Sequence, residues 1–103
     1  MGGEEGLDEI IDTPSTEEKI VLIQLYRATR GAPSANVSIQ TILRGINPKI
    51  VSTLKLKRGK VRKILNKLVR KRLAREKGGR RANQTYSITT LGARIARKLL
   101  QKI

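Results

Sequence analysis

The apolar residues of this chain recur at three- and four-residue spacing in several separate segments, a pattern that predicts a mainly helical domain. The first segment begins after Ser15, whose hydroxyl group and the carboxylate of Glu18 have the spacing of a capping box. We predict a helix from there to about Arg30, where Gly31 and Pro33 end it. Because apolar residues cover most of its circumference, we expect this helix to be covered on two sides.

A second, short helix is predicted from Ser38 to Gly45. The pair Asn47-Pro48 then favours a turn, or a helix start with proline in its first position. The rest of residues 46–57 predicts no definite element.

The clearest period lies between residues 58 and 72, where one face of a predicted helix is apolar and the opposite face is cationic. We expect the apolar face to pack against the rest of the domain. It consists of Val61, Ile64, Leu65 and Leu68.

Residues 73–88 predict a hairpin, because an alternating segment at 84–88 follows a turn-forming run at 78–83. A closing helix is predicted over residues 89–102, with Thr89 or Thr90 as its cap. Its apolar residues repeat every four positions and leave a broad apolar face. The expected fold class is therefore α+β and mostly helical.

Charge divides the chain into two unequal parts. Seven of the eight acidic residues lie in the first eighteen positions, and none of the twenty-three lysines and arginines do. After position 18 only Glu76 is acidic. A compact body with so large a positive charge repels itself, and a polyanionic partner is the simplest reason to keep it. Nucleic acid is the leading candidate.

Composition excludes several other classes of function. The chain has no cysteine and no histidine, which removes disulfides, thiolate sites and the commonest metal ligand and acid-base group. With one carboxylate after position 18, we expect no enzyme and no cofactor. No apolar stretch approaches the ~20 residues of a membrane span, so we expect a cytoplasmic protein without membrane contact. The scarcity of cysteine, histidine and methionine is typical of a thermophile.

The order of these elements, a helix, a second helix, a cationic helix, a basic-tipped hairpin and a closing helix, resembles the winged helix-turn-helix domain. Residues 59–73, GKVRKILNKLVRKRL, look like its recognition helix running into the first wing strand. Residues 86–92, YSITTLG, resemble the second wing strand entering the last helix of small archaeal and bacterial PadR- or MarR-like regulators. The chain departs from the pattern at Arg72, where many relatives have glycine, and in the long connection at 46–57.

Residues 1–15 are rich in glycine and acidic residues and have little apolar content to offset the cost of ordering, so we expect an acidic, disordered tail there. The resemblance assigns residues 16–103 to a winged-helix domain with a C-terminal helix after the wing. Within the domain, 58–72 would be the recognition helix, 73–88 the wing and 89–102 the closing helix. A recognition helix of this family enters the DNA major groove while the wing contacts backbone or minor groove. By that resemblance the nucleic-acid-binding residues would be Lys57, Arg58, Lys60, Arg62, Lys63, Asn66, Lys67, Arg70, Arg80 and Arg81.

The first and last helices offer more apolar surface than a body of this size needs, which favours a homodimer. This agrees with the closing-helix dimers of the family that the chain resembles. The expected dimer residues are Leu22, Tyr26, Ile95, Leu99 and Ile103.

The expected function is that of an archaeal, nucleoid-associated transcriptional regulator of cellular or viral origin that binds double-stranded DNA. A ribosomal or other ribonucleoprotein component that binds structured RNA is the alternative, and a chromatin-like architectural protein without sequence preference is the second. The acidic tail has three possible uses. It keeps the protein soluble, folds back on the basic face as a phosphate mimic, or contacts another basic protein.

Overall fold

The computed structural model describes residues 15–78 and 84–101, which form five helices and a small three-stranded sheet. The predicted acidic tail up to residue 14, the wing tip with Arg80 and Arg81, and Ile103 lie outside the described residues. The elements are, in chain order, α1 (Thr16–Thr29), β1 (Val37–Ser38), α2 (Ile39–Gly45), α3 (Pro48–Leu54), α4 (Arg58–Arg70), β2 (Ala74–Gly78), β3 (Gln84–Ile88) and α5 (Thr90–Gln101).

Helix α1 begins at the predicted capping box. The Ser15 hydroxyl accepts a hydrogen bond from the Glu18 amide, and a Glu18 carboxylate oxygen accepts one from the Ser15 amide, each at 3.2 Å. At its other end Arg30 and Gly31 both have positive φ angles, of 56° and 73°, and their amides bond back to the last turn. Glycine adopts this conformation without strain, which explains why the helix ends there.

Two short helices follow, and each begins with a side-chain cap. Ser38 caps α2 by accepting a hydrogen bond from the Thr41 amide. Asn47 caps α3 in the same way through the Lys49 amide at 2.8 Å, with Pro48 in the first turn. Helix α3 occupies most of the stretch for which the sequence predicts no definite element, and none of its residues is fully buried.

The sheet has the antiparallel order β1-β3-β2. The predicted hairpin is confirmed, with Ala74 opposite Ile88 and Gly78 opposite Gln84. Strand β1 is absent from the prediction because it is two residues long and exists through its pairing of Val37 with Tyr86, nearly fifty positions away.

The core lies between α1 and the elements around it. Helix α1 contacts α2, α4, α5 and two strands, so the expectation that it is covered on more than one side is confirmed. The apolar face predicted for α4 is also buried. Helix α5 approaches closely because it places Gly92 against the Leu73 backbone, where a β-carbon would collide with the carbonyl oxygen. The fold class is α+β and mostly helical, as expected. No helix in the described part of the chain is long and apolar enough to cross a bilayer.

Candidate nucleic-acid interface

Helix α4 has one buried face and one charged face. Val61, Ile64, Leu65 and Leu68 are each 5% exposed or less, so they fix the orientation of the helix on the core. The opposite side is open to solvent, and six of the ten predicted binding residues lie exposed on or next to it. These are Lys57, Arg58, Lys63, Asn66, Lys67 and Arg70.

Four exposed positions form the centre line of this surface, which we call the α4 ridge. They are Gly59, Lys63, Asn66 and Arg70, spaced by four, three and four residues, and they therefore follow one another along the helix. Lys67 lies beside them. The ridge presents cationic groups with a single amide side chain between them.

The first turn of α4 differs from the starts of α1, α2 and α3. Its N-cap residue is Lys57, which, unlike the N-cap residues of those three helices, makes no side-chain capping hydrogen bond, and it lacks the acidic residues found in the first turn of α1. The first amide groups of a helix have no partner within the helix and carry the positive end of its dipole. Lys57 and Arg58 add positive charge at the same place. This turn is therefore suited to bind an anion.

Gly59 lies in that first turn and leaves space above it. A β-carbon built there would meet no heavy atom of the described residues within 4 Å beyond its own helical turn, and the φ angle of Gly59 is not positive. Within the described residues, neither packing nor backbone conformation thus requires a glycine at this position. The absence of a side chain leaves the backbone open to close approach from outside.

Lys60 is the predicted binding residue whose ammonium group already has partners in the protein. Its Nζ donates a hydrogen bond to the Leu54 carbonyl oxygen at 2.7 Å and lies 2.6 Å from a carboxylate oxygen of Glu17. Lys60 therefore joins the start of α4 to the end of α3 and to the first turn of α1.

Arg62 lies on the side of α4 that faces the sheet and is only partly exposed, with a buried Nε. Its charge acts on Tyr86, whose side chain is fully buried. Burial and the negative charge of Glu76 raise the pKa of Tyr86, and the positive charge of Arg62 opposes them. Arg62 is thus placed at the junction of helix and hairpin and is less accessible than the α4 ridge.

A second ion pair holds α4 against α1. Glu18 is 5% exposed, and its carboxylate accepts a hydrogen bond from the Lys71 ammonium group at 2.8 Å. Burial by itself would raise the pKa of Glu18, but the bonds from Lys71 and the Ser15 amide, with the charges of Lys71 and Lys67, lower it overall. The carboxylate is therefore ionised at neutral pH and stabilises the contact between the two helices.

Strand β2 adds cations that the sequence prediction did not include. Arg75 and Lys77 are exposed and pair with Ser87 and Thr85 across the sheet. Their spacing of two residues places both on the same face of the strand, and this alternation is the signal from which they could have been found.

The predicted dimer residues have different environments. Leu22 is fully buried in the core, so its assignment to a dimer surface is wrong, because no part of it is left to contact a partner. Tyr26, Ile95 and Leu99 pack against the core but remain partly exposed. Leu91, which was not among the predicted residues, is 44% exposed at the start of α5.

The described part of the chain holds three carboxylates, and two of them, Glu17 and Glu18, are in ion pairs. The surface around α4 is thus positively charged with little internal neutralisation, an arrangement suited to bind phosphate groups. Comparisons of the chain with protein-family models, with curated proteins and with solved structures found no match.

Proposed function

We propose that this protein binds duplex DNA through helix α4 and the hairpin, as a winged helix-turn-helix regulator. The observation that carries the proposal is the α4 ridge with its uncapped, cationic first turn, exposed on a helix whose other face is fixed in the core. An α-helix is about 10–12 Å across with its side chains, which matches the ~12 Å width of the major groove of B-DNA.

The order of the elements supports the winged-helix part of the proposal. Three helices, α1, α2 and α3, precede the cationic helix, the hairpin follows it, and β1 adds a third strand to give the antiparallel order β1-β3-β2. Helix α3 then stands where a helix-turn-helix has a tight turn. The carbonyl oxygen of Leu54, the last residue of α3, accepts a hydrogen bond from Lys60. This extra helix therefore supports the start of the proposed recognition helix.

The residues divide into two kinds of contact. Lys57, Arg58 and the first amides of α4 bind phosphate groups, because they combine positive charge with unpaired N–H groups. Lys63, Asn66 and Arg70 face the bases and the flanking backbone from the ridge. Asn66 is suited to pair with adenine and arginine with guanine, whereas the density of cations favours backbone binding over fine sequence reading.

The positions of the aromatic side chains argue against single-stranded RNA as the ligand. The chain has two aromatic residues, Tyr26 and Tyr86. Tyr86 is fully buried and Tyr26 packs against the core, so neither offers a platform on which bases stack. Structured RNA remains the alternative ligand, bound by charge and shape.

We also propose that the protein is a homodimer. Leu91, Ile95 and Leu99 lie at four-residue spacing on α5 and keep exposed apolar surface. A second copy that covers this stripe would place two α4 helices on one duplex, with half-sites about one helical turn apart.

The test is fluorescence anisotropy of the purified protein with random duplex DNA, matched duplex RNA and single-stranded RNA across a salt series, with light scattering on the same sample. We expect duplex DNA to bind most tightly, to a dimer. If about six phosphates are neutralised, log affinity falls with log salt at a slope of about −5. Preference for structured RNA by a monomer would contradict the proposal and favour a ribonucleoprotein component.

A further inference from the structure

An apolar groove runs between α1 and α3, and none of its lining residues belongs to the α4 ridge. Ile20, Ile50, Thr53 and Leu54 line a part of about 280 Å³ near the start of α1. An adjoining part of about 310 Å³ shares Ile20 and Ile50 and continues past Ile23. We call the two parts together the α1–α3 groove.

Ile50 is the most exposed apolar side chain of this groove. It is 36% exposed, and among the described residues the other large apolar side chain exposed to this degree is Leu91 on α5. Exposing aliphatic surface of this kind to water is unfavourable, so covering it makes the binding of a ligand more favourable.

The rim of the groove is cationic. Lys49 lines the part nearer the start of α1, and Arg27 lines the adjoining part. A segment that combines aliphatic side chains with acidic ones would therefore match both the floor and the rim.

Residues 1–14, which we call the acidic segment, have this composition. Leu7, Ile10 and Ile11 are spaced by three and one residues, which is the spacing of one helical face. Asp8, Glu9 and Asp12 fall on the other side of the same pattern.

The connection to α1 brings the acidic segment to the groove. It joins the domain at Ser15, next to Glu17, whose carboxylate is paired with Lys60. Lys60 in turn bonds the carbonyl of Leu54, which lines the groove. Fourteen residues reach roughly 45 Å when extended, which is enough for the segment to pass from Ser15 to the groove.

We propose that the acidic segment docks in the α1–α3 groove of its own chain and competes with nucleic acid for the first turn of α4. Leu7, Ile10 and Ile11 cover Ile20 and Ile50, and the acidic residues lie near Lys49, Lys57 and Arg58. The competitive role depends on the proposed function, whereas the docking does not.

The expected strength is moderate, because three aliphatic side chains bury little surface and DNA carries many more charges. Attachment in the same chain compensates by giving a high effective concentration. If the docked form holds about nine molecules in ten, the apparent affinity for DNA falls about tenfold. Salt weakens both the docking of the acidic segment and the binding of DNA, because both depend on charge.

Docking is tested with a spin label. The chain has no cysteine, so Gly6→Cys provides a single attachment site for a nitroxide in the full-length protein. We expect the label to broaden the amide signals of Thr53 and Leu54, and Ile50→Glu to reduce that broadening at least fivefold. Thr90→Glu is the control, since it puts the same charge on an exposed position of α5 outside both the groove and the apolar stripe, and it should leave the broadening unchanged.

Three results would overturn the docking. The first is broadening that Ile50→Glu leaves intact, and the second is broadening confined to the α4 ridge. The third is broadening in an isotope-labelled copy mixed with unlabelled, spin-labelled protein, because the segment would then bind another molecule.

Competition is tested by anisotropy with duplex DNA at low salt. The triple variant Leu7→Ser, Ile10→Ser and Ile11→Ser keeps every charge, and we expect it to bind DNA about tenfold more tightly than the unmodified chain. Equal affinity would refute competition. If neither protein binds DNA, the proposed function and the competitive role fail together, while the spin-label result still decides the docking.

Discussion

Helices α1 and α4 differ in how their first backbone amides, which have no partner within a helix, are satisfied. Helix α1 satisfies its first amides with Ser15 and Glu18 and carries acidic residues in its first turn, as the helix dipole favours. Helix α4 has no side-chain cap, and its first residues are lysine, arginine and glycine. The start of α1 is compensated within the chain, and the start of α4 is left for an external anion.

The two starts are also in contact, through Glu17 and Lys60. The acidic start of α1 thus takes one cation from α4 and leaves Lys57 and Arg58 exposed. The α1 side of this contact is therefore expected to contribute mainly to stability, and the α4 side to the proposed nucleic-acid binding. Substitutions at the two starts should therefore separate folding from binding.

The largest effect is expected for the double substitution Lys57→Glu, Arg58→Glu. It should lower the affinity for duplex DNA about 100-fold, because it replaces two phosphate contacts with repulsion. Stability should not fall, since acidic residues at a helix start interact favourably with the dipole. Anisotropy and urea unfolding measure the two quantities.

The matched control is Arg94→Glu, Arg97→Glu, which changes two exposed cations on α5 and gives the same net charge. Affinity should fall less than about threefold, because these charges act only through screened, long-range attraction. Equal losses in the two variants would mean that overall charge, and not the start of α4, determines binding.

Glu18→Gln should lower the free energy of unfolding by about 2 kcal/mol at pH 7, because Lys71 loses a charged hydrogen-bond partner. Glutamine keeps the capping-box acceptor, so the loss reports the ion pair. The pKa of Glu18 is lower in the folded protein than its ordinary value of 4.5. The stabilisation is therefore present above that value and is lost as the pH falls through the lower folded pKa.

Urea unfolding of both proteins between pH 7 and pH 3 measures this difference. It should shrink towards the acid end. A variant as stable as the unmodified chain at pH 7 would show that the Glu18–Lys71 pair contributes nothing.

Glu17→Gln is expected to act mainly on binding. It releases Lys60 for phosphate and should raise the affinity for duplex DNA about threefold, about 0.7 kcal/mol. Stability should change by less than about 0.5 kcal/mol, because the pair is substantially exposed. A larger loss of stability in Glu17→Gln than in Glu18→Gln would contradict the assignment of Glu18 to stability and of Glu17 to binding.

The smallest effect is expected for Gly59→Ala. Alanine favours a helix more than glycine does, so stability should rise by about 0.5 kcal/mol. Affinity should fall about twofold, because the methyl group occupies the open space above the first turn. Gly92→Ala is the contrasting control and should destabilise the fold, since its β-carbon meets the Leu73 carbonyl. Unchanged affinity in Gly59→Ala would indicate that no ligand approaches the backbone there.

Sequence alone predicts the elements that local pattern determines. The apolar face of α4, the capping box at Ser15 and the helix start at Ser38 agree with the structure, because periodicity and capping depend on neighbours within a few residues. The departure at Arg72 also has a structural counterpart. Its φ angle is 63°, in the left-handed region where glycine is favoured.

Contacts between distant residues escape such reasoning. The strand at Val37 exists only through pairing with Tyr86. The ion pair of Lys60 likewise depends on Glu17, forty-three positions earlier. Leu22 fails as a dimer residue for the same reason. Its apolar character is evident in the sequence, but only the fold shows that the chain itself covers it.

The most direct test of the central comparison is an NMR titration of the full-length protein with a short DNA duplex, following backbone amide signals. The account predicts that the amides of Arg58, Gly59 and Lys60 shift most, while those of Ser15 and Glu18, which already have partners, change little. Largest shifts on α5, with the first turn of α4 unchanged, would contradict it.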